Sequence, residues 1–266
     1  MNLKIVAAIA FFFNVTTAQN ITYDEHKAWS KFYKEKNIKG CFLLYDLSSG
    51  KYMVYNPARI DSEFIPASTF KIFNSLVGLE TGAVKDENEI IKWDGVNRDI
   101  ESWNKNHNMR TALKNSVVWF YQELARRIGY DRMHKYIDLA GYGNKDIDGG
   151  IDLFWLQGDL KITPKQQVDF LVRLYKDSLP FSQRTMDIVK DMMILENTEN
   201  YILRAKTGWG ARLDKQIGWF VGYVETTGPE KKIFFFANNI DINEIKDTEG
   251  RYSLTKEILK DMKIIN

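Results

Sequence analysis

Ser68 and Lys71 stand three residues apart in Ile65-Pro66-Ala67-Ser68-Thr69-Phe70-Lys71. A serine hydroxyl is a poor nucleophile until a base takes its proton. On a helix that starts near Ser68, residues three apart share a face, which sets the Lys71 amine beside the Ser68 hydroxyl. Taken alone, the pair also reads as a helix N-cap followed by a surface lysine. Lys206-Thr207-Gly208 combines a cation, a hydroxyl and a residue that lets a ligand approach the backbone. That set suits a substrate carboxylate, although a strand running into a turn has the same composition. Ser116-Val117-Val118 adds a second hydroxyl and by itself looks like an ordinary helix start.

Other chemistries are excluded by composition. The three histidines, His26, His107 and His134, are far apart, and Cys41 is the single cysteine, so no zinc-binding spacing exists and no metal is expected. Lys plus Arg number 37 against 35 Asp plus Glu, a net charge of +2 without a basic stripe, which argues against nucleic acid as a partner. With 266 residues, 44% of them hydrophobic, the chain can fill one large core or two closely packed lobes.

The elements that must position these residues follow from the hydrophobic pattern. Residues 39–46 and 52–56 read as strands joined around Ser48-Ser49-Gly50, and Cys41 falls in the first of them as a small buried hydrophobe. From Ser68 to about Asp177 the apolar spacing is mainly helical. It includes Ser116 to Arg127 and Pro164 to Tyr175, the latter with Thr163 as N-cap and proline in the first turn. A further helix is expected near Ser182 to Met193, then strands at Ile202–Thr207, Ile217–Glu225 and Lys232–Asn238, and a closing amphipathic helix over 252–263. The expected fold is a mixed α/β one. An antiparallel sheet is built from both termini (about 19–66 and 178–266) and flanked by helices, with an all-helical lobe (about 67–177) inserted. At the N-terminus, Lys4, the apolar run Ile5 to Phe13 and Thr16-Thr17-Ala18 form a secretory leader over residues 1–18, which predicts export and a single mature domain from Gln19 to Asn266. No later stretch of the chain has 18 consecutive apolar residues, so no membrane span is expected there.

The three motifs, read in order, resemble those of penicillin-recognising serine enzymes. More narrowly, the chain resembles a class D (oxacillinase-type) serine β-lactamase along the whole mature length. Tyr142-Gly143-Asn144 is similar to that family's Y-G-N loop, and Phe154-Trp155-Leu156 with Gly158 to its F-W-L-x-G stretch. Lys206-Thr207-Gly208-Trp209 precedes Ile217-Gly218-Trp219-Phe220-Val221-Gly222 as in the family, and Arg251 falls where the family places a carboxylate-binding arginine, just before the closing helix. Val118 replaces the third residue of the S-D-N motif of class A enzymes. It removes a hydrogen-bonding partner for Lys71 and makes the lysine's surroundings more apolar, which favours the neutral amine. Glu196 and Asn200 have the spacing of a class A omega-loop pair, but directly before the Lys206 strand they are expected on the surface.

The resemblance implies the remaining roles. Lys71 becomes N-carboxylated by carbon dioxide, with no other cofactor, and the carbamate activates Ser68 and later a water molecule. Trp155 donates its indole N–H to that carbamate, and Ser116 relays a proton to the lactam nitrogen. Lys206, Thr207, Gly208 and Arg251 bind the substrate carboxylate, and the backbone N–H groups of Ser68 and Trp209 form the oxyanion hole. Phe70, Val118 and Trp103 wall the site. Substrates are small β-lactams, penicillins and oxacillin-type compounds. The short segment from Trp209 to Gln216 is similar to that of members that accept carbapenems. The protein would work in the periplasm as a monomer or homodimer and confer β-lactam resistance. Two alternatives are a β-lactam sensor domain, which is acylated without turnover, and a cell-wall transpeptidase or carboxypeptidase.

Overall fold

The computed structural model describes residues 22–266, so the expected leader lies outside the described residues. Seven strands form one sheet: β1 (Tyr23–Glu25), β2 (Gly40–Asp46), β3 (Lys51–Tyr55), β4 (Ile194–Asn197), β5 (Tyr201–Trp209), β6 (Ile217–Thr226) and β7 (Ile233–Asp241). Their spatial order is β1-β3-β2-β7-β6-β5-β4. The helices are α1 (Ser30–Glu35), α2 (Pro57–Ile60), α3 (Lys71–Glu80), α4 (Met109–Lys114), α5 (Val118–Ile128), α6 (Tyr130–Ala140), α7 (Pro164–Tyr175), α8 (Gln183–Met192) and α9 (Gly250–Asp261). The two ends of the chain meet where β2 pairs antiparallel with β7, Gly40 opposite Ile240.

The central strands are apolar on both faces because both faces are covered. Phe42, Leu44, Phe220, Val224, Phe236 and Ile240 point toward α9, α1 and the residues around Trp29. Cys41, Leu43, Trp219, Val221, Phe235 and Ala237, one position out of phase along the same strands, pack into the larger core with α3, α5 and α7. Cys41 is wholly buried there, and burial pushes its thiol pKa up to about 12. Local signals fix the ends of the elements. Thr163 and Gln166 form a reciprocal capping box at the start of α7, with Pro164 behind them, and Ser182 caps α8.

Three expectations need correction. The sheet is not wholly antiparallel, since β1 runs parallel to β3. The middle of the chain is less helical than its spacing predicted. Residues 81–108 hold only one short helical turn, Glu101–Trp103, and residues 141–163 are turns and loop, tied to the sheet lobe by the bridge between Phe64 and Ile162. Arg251 is not ahead of the closing helix but in the first turn of α9.

Candidate active site

The nucleophile candidate sits on a strained turn. Ala67–Phe70 is a 3-10 turn that runs straight into α3, and Ala67 has φ +47°, a value unfavourable for any residue with a Cβ. Three contacts hold it. Trp219 Nε1 donates to the Ile65 carbonyl at 2.9 Å, Thr69 Oγ1 to the Pro66 carbonyl at 2.7 Å, and Gln167 Nε2 to Thr69 Oγ1 at 2.8 Å. Gly208 on β5 lies against the same turn; a Cβ there would sit 3.1 Å from the Pro66 carbonyl oxygen. A side chain at 208 would press on both strand and turn and move one of them by a few tenths of an ångström.

Lys71 opens α3 and is fully buried, so it is not a surface lysine. Its Nζ is 2.5 Å from Ser68 Oγ, and that hydroxyl is its one hydrogen-bond partner among the described residues. Burial, reinforced by the positive charges of Lys206 and Arg212, holds its pKa well below the ordinary lysine range. An ammonium with three donors and one acceptor would be poorly served here, whereas a neutral amine can accept the Ser68 proton.

Ser116 adopts φ +53° in the tight turn between α4 and α5, rather than the helical start its neighbours suggested. That turn delivers its Oγ to Lys206 Nζ, 3.0 Å away. Lys206 also contacts the carbonyl of Thr207, and burial together with the Arg251 charge brings its pKa down to about 7.

The strand register fixes the direction of the Trp209 amide. Gly210 N donates to Ile217 O, and hydrogen-bonded pairs alternate with non-bonded ones in an antiparallel ladder. The Trp209–Gly218 pair is thus non-bonded, and the Trp209 N–H turns away from β6. Four residues back, with the same parity in the ladder, the Ala205 amide points the same way and bonds Met193 O beside β4. At Trp209 that edge of β5 faces the Ser68 turn.

A cleft of about 370 Å³ opens over these groups. Ser68, Ser116, Thr207 and Gly208 form its floor, while Trp103, Val118, Leu156 and Ile100 make an apolar wall. Arg251 and Arg212 give it a cationic rim. Trp103 is anchored by its indole N–H to the Asn115 carbonyl at 2.9 Å. Arg251 Nη1 reaches the Gly208 carbonyl at 3.2 Å, and Nε the Thr248 carbonyl at 2.6 Å.

Phe70 does not wall this cleft. It is fully buried and its ring packs against Phe73, Tyr142, Phe154 and, in a stack at 5.4 Å, Trp155. The physical reason is turn geometry: at three residues per turn, Phe70 projects about 120° away from Ser68, into the core and not the cleft. Trp155 is also fully buried, and its indole N–H makes no hydrogen bond among the described residues. The Y-G-N loop braces the segment that follows Trp155. Gly143 at φ +57° presses so close to Lys161 that a Cβ would meet its carbonyl oxygen at 2.2 Å, and Asn144 bonds the Asp159 carbonyl and the Lys161 amide. Glu196 is well removed from the cleft, in an ion pair with Lys256 at 2.6 Å. Leu156, Ile100, Asn115 and Arg212 were not singled out as site residues; Leu156 within Phe154-Trp155-Leu156 and Asn115 beside Ser116 carried the only signal for them.

A hydroxyl against a buried amine, a second hydroxyl on a second lysine, and an arginine at the rim equip the cleft for acyl transfer to serine. Residues 19–262 match the family described as the penicillin-binding protein transpeptidase domain. The chain is 44% identical over 243 residues, 91% of each chain, to β-lactamase OXA-48 of Klebsiella pneumoniae. A class D β-lactamase, YbXI from Nostoc, superposes with a TM-score of 0.85 at 50% identity, covering 88% of this chain and 98% of its own. For FUS-1 (OXA-85), a class D β-lactamase of Fusobacterium nucleatum, the values are 0.87, 40%, 91% and 100%. The chain belongs to the class D β-lactamases within that transpeptidase-domain family, and it is an enzyme that hydrolyses β-lactams. No helix of the described residues is long and apolar enough to cross a membrane.

Proposed function

We propose that hydrolysis runs through an acyl-enzyme on Ser68, with Lys71 carrying a carbamate as the base. The observations that support this most directly are a fully buried Lys71 and a fully buried Trp155 whose indole N–H has no acceptor among the described residues, the two linked through Phe70, which adjoins Lys71 in sequence and stacks on Trp155. A buried donor left unpaired costs roughly 1–3 kcal/mol, and an anionic carbamate oxygen would satisfy it. The field argues the same way, because the charges of Lys206 and Arg212 that disfavour an ammonium at Lys71 favour an anion in its place.

In this reading Ser68 gives its proton to the base and attacks the lactam carbonyl. The developing oxyanion is held by the backbone N–H groups of Ser68 and Trp209, the latter on the free edge of β5. Ser116, hydrogen-bonded to Lys206, passes a proton to the lactam nitrogen as the C–N bond breaks. Water, deprotonated by the same base, then attacks the ester and frees Ser68. Lys206, Thr207, Gly208 and Arg251 take the substrate carboxylate, and Trp103, Val118 and Leu156 take its apolar side chain. The short loop from Gly210 to Gln216 leaves the cleft open beside Arg212, which we read as room for carbapenems as well as penicillins and oxacillin.

The test is turnover. Purified enzyme should convert many equivalents of a chromogenic cephalosporin, benzylpenicillin, oxacillin and a carbapenem, and Ser68→Ala none. A single equivalent with every substrate would instead mark a sensor or a transpeptidase, and a carbapenem left intact would remove that part of the range alone. Arg251→Ala should raise KM for benzylpenicillin about 30-fold, near 2 kcal/mol, with the thermal midpoint little changed. Steady-state kinetics with unaltered KM would take the carboxylate away from Arg251. We also propose that residues 1–18 are a leader that directs export to the periplasm. Intact-mass measurement of the exported protein should find Gln19 first, and a retained Met1 would refute it.

A further inference from the structure

Arg251 is set by two residues that never face the cleft. Its side chain leaves the first turn of α9 and crosses β6 to reach the Gly208 carbonyl at the end of β5. The residue it crosses is Gly218, and a Cβ built there would lie 2.7 Å from Arg251 Cγ and 2.8 Å from Cδ. No Cβ fits at those distances, so any side chain at 218 displaces the arginine stem rather than its tip. On the far side, Ile240 Cγ1 stands 3.0 Å from the same point and closes the groove.

The backbone end of Arg251 is held from beneath. Asn238 on β7 is fully buried, and its Nδ2 donates to the Arg251 carbonyl at 3.0 Å and to Thr255 Oγ1 at 3.2 Å. Its Oδ1 accepts the Tyr33 hydroxyl at 2.9 Å. One amide thus ties α1, β7 and the start of α9 together, at the residue whose side chain serves the cleft.

We propose that Gly218 and Asn238 are positioning residues for substrate recognition: Gly218 leaves the groove in which the Arg251 stem lies, and Asn238 fixes the carbonyl from which it departs. This rests on Arg251 binding the substrate carboxylate. The prediction is therefore specific to that carboxylate and separable from the chemistry at Ser68.

The experiment compares benzylpenicillin with its methyl ester, which lacks the charge, in wild type, Gly218→Ala, Asn238→Ser, Arg251→Ala and Gly218→Ala/Arg251→Ala. Gly218→Ala should raise KM for the acid by 10-fold or more with kcat within 3-fold, and leave kcat/KM for the ester unchanged. Asn238→Ser, which removes atoms and does not crowd the sheet, should give the same acid-only pattern at a few-fold, and it serves if Gly218→Ala does not fold. The double variant should be no worse on the acid than Arg251→Ala, because both changes remove one contact. Equal losses on acid and ester, or additive losses in the double variant, would overturn the proposal. If Arg251→Ala fails to distinguish acid from ester, the carboxylate reading itself falls. If Arg251→Ala distinguishes them and neither Gly218→Ala nor Asn238→Ser does, the positioning role alone falls.

Discussion

Lys71→Ala should lower kcat/KM for benzylpenicillin roughly 10²- to 10⁴-fold, the span expected when a positioned general base is removed, and any acyl group that reaches Ser68 should stay there. The same base sets the pH dependence. Burial, then the charges of Lys206 and Arg212, depress the Lys71 pKa. Above the depressed value the amine is neutral and can take up carbon dioxide. Below it the group is an ammonium, which neither binds carbon dioxide nor accepts the Ser68 proton. Activity should therefore fall as pH is lowered through that value, and added bicarbonate should recover part of the loss. An unmodified lysine base would give the acid fall without the bicarbonate recovery. A carbon-13 carbamate signal from enzyme equilibrated with labelled bicarbonate separates the two. Full activity at neutral pH with no such signal would falsify the carbamate and leave the amine, already 2.5 Å from Ser68 Oγ, as the base.

Trp155→Phe is the second large effect, and it falls on deacylation. Phenylalanine keeps an aromatic ring beside Phe70 while removing the indole N–H together with part of the bicyclic ring, so the thermal midpoint is measured alongside to separate the lost donor from the cavity. If that donor holds the carbamate, its loss forfeits a hydrogen bond to a charged group, about 1.5–3 kcal/mol, or roughly 10- to 150-fold in rate. Rapid mixing with a chromogenic substrate should show a burst followed by a slow steady state, and mass spectrometry an adduct on Ser68. Bicarbonate should then be needed at higher concentration. Wild-type kinetics at ambient bicarbonate would leave Trp155 as a core anchor and nothing more.

What was legible before any coordinates depended on how local the signal was. Capping at Thr163 and Ser182 and the apolar runs of β2, β6 and β7 are written in adjacent residues, and these elements begin and end within a few positions of expectation. β1 and β4, three and four residues long at the two edges of the sheet, lack the length for a pattern and were missed. The motif residues Ser68, Lys71, Ser116 and Lys206 do converge, yet how they converge was hidden. Positive φ at Ala67 and Ser116 is imposed by packing around residues that do not prefer it. Phe70 was misassigned because nearness to Ser68 in sequence says nothing about which side of a 3-10 turn a ring leaves. The free N–H of Trp155 and the groove at Gly218 are properties of surroundings assembled from distant segments, and no window of sequence contains them.

The pairing of β2 with β7 has a consequence for how the enzyme comes to exist. Gly40 and Ile240 lie two hundred residues apart, so this ladder closes a loop of about three-quarters of the chain. By loop entropy alone that closure costs about 2.7 kcal/mol more than a ten-residue hairpin, and contacts of such span form slowly. Yet β7 carries Asn238 beneath Arg251, and the neighbouring β6 carries the Trp219 that bonds the segment leading to Ser68. The strands that brace both the Ser68 turn and Arg251 therefore belong to a sheet closed by a contact of very long span. Helices α3 to α7 can assemble early from neighbouring residues, but a chain in that condition holds its nucleophile turn without the strand that braces it. Catalytic competence should therefore return no sooner than this ladder, and refolding enzyme that regains activity before amide protection appears in β2 and β7 would refute that order.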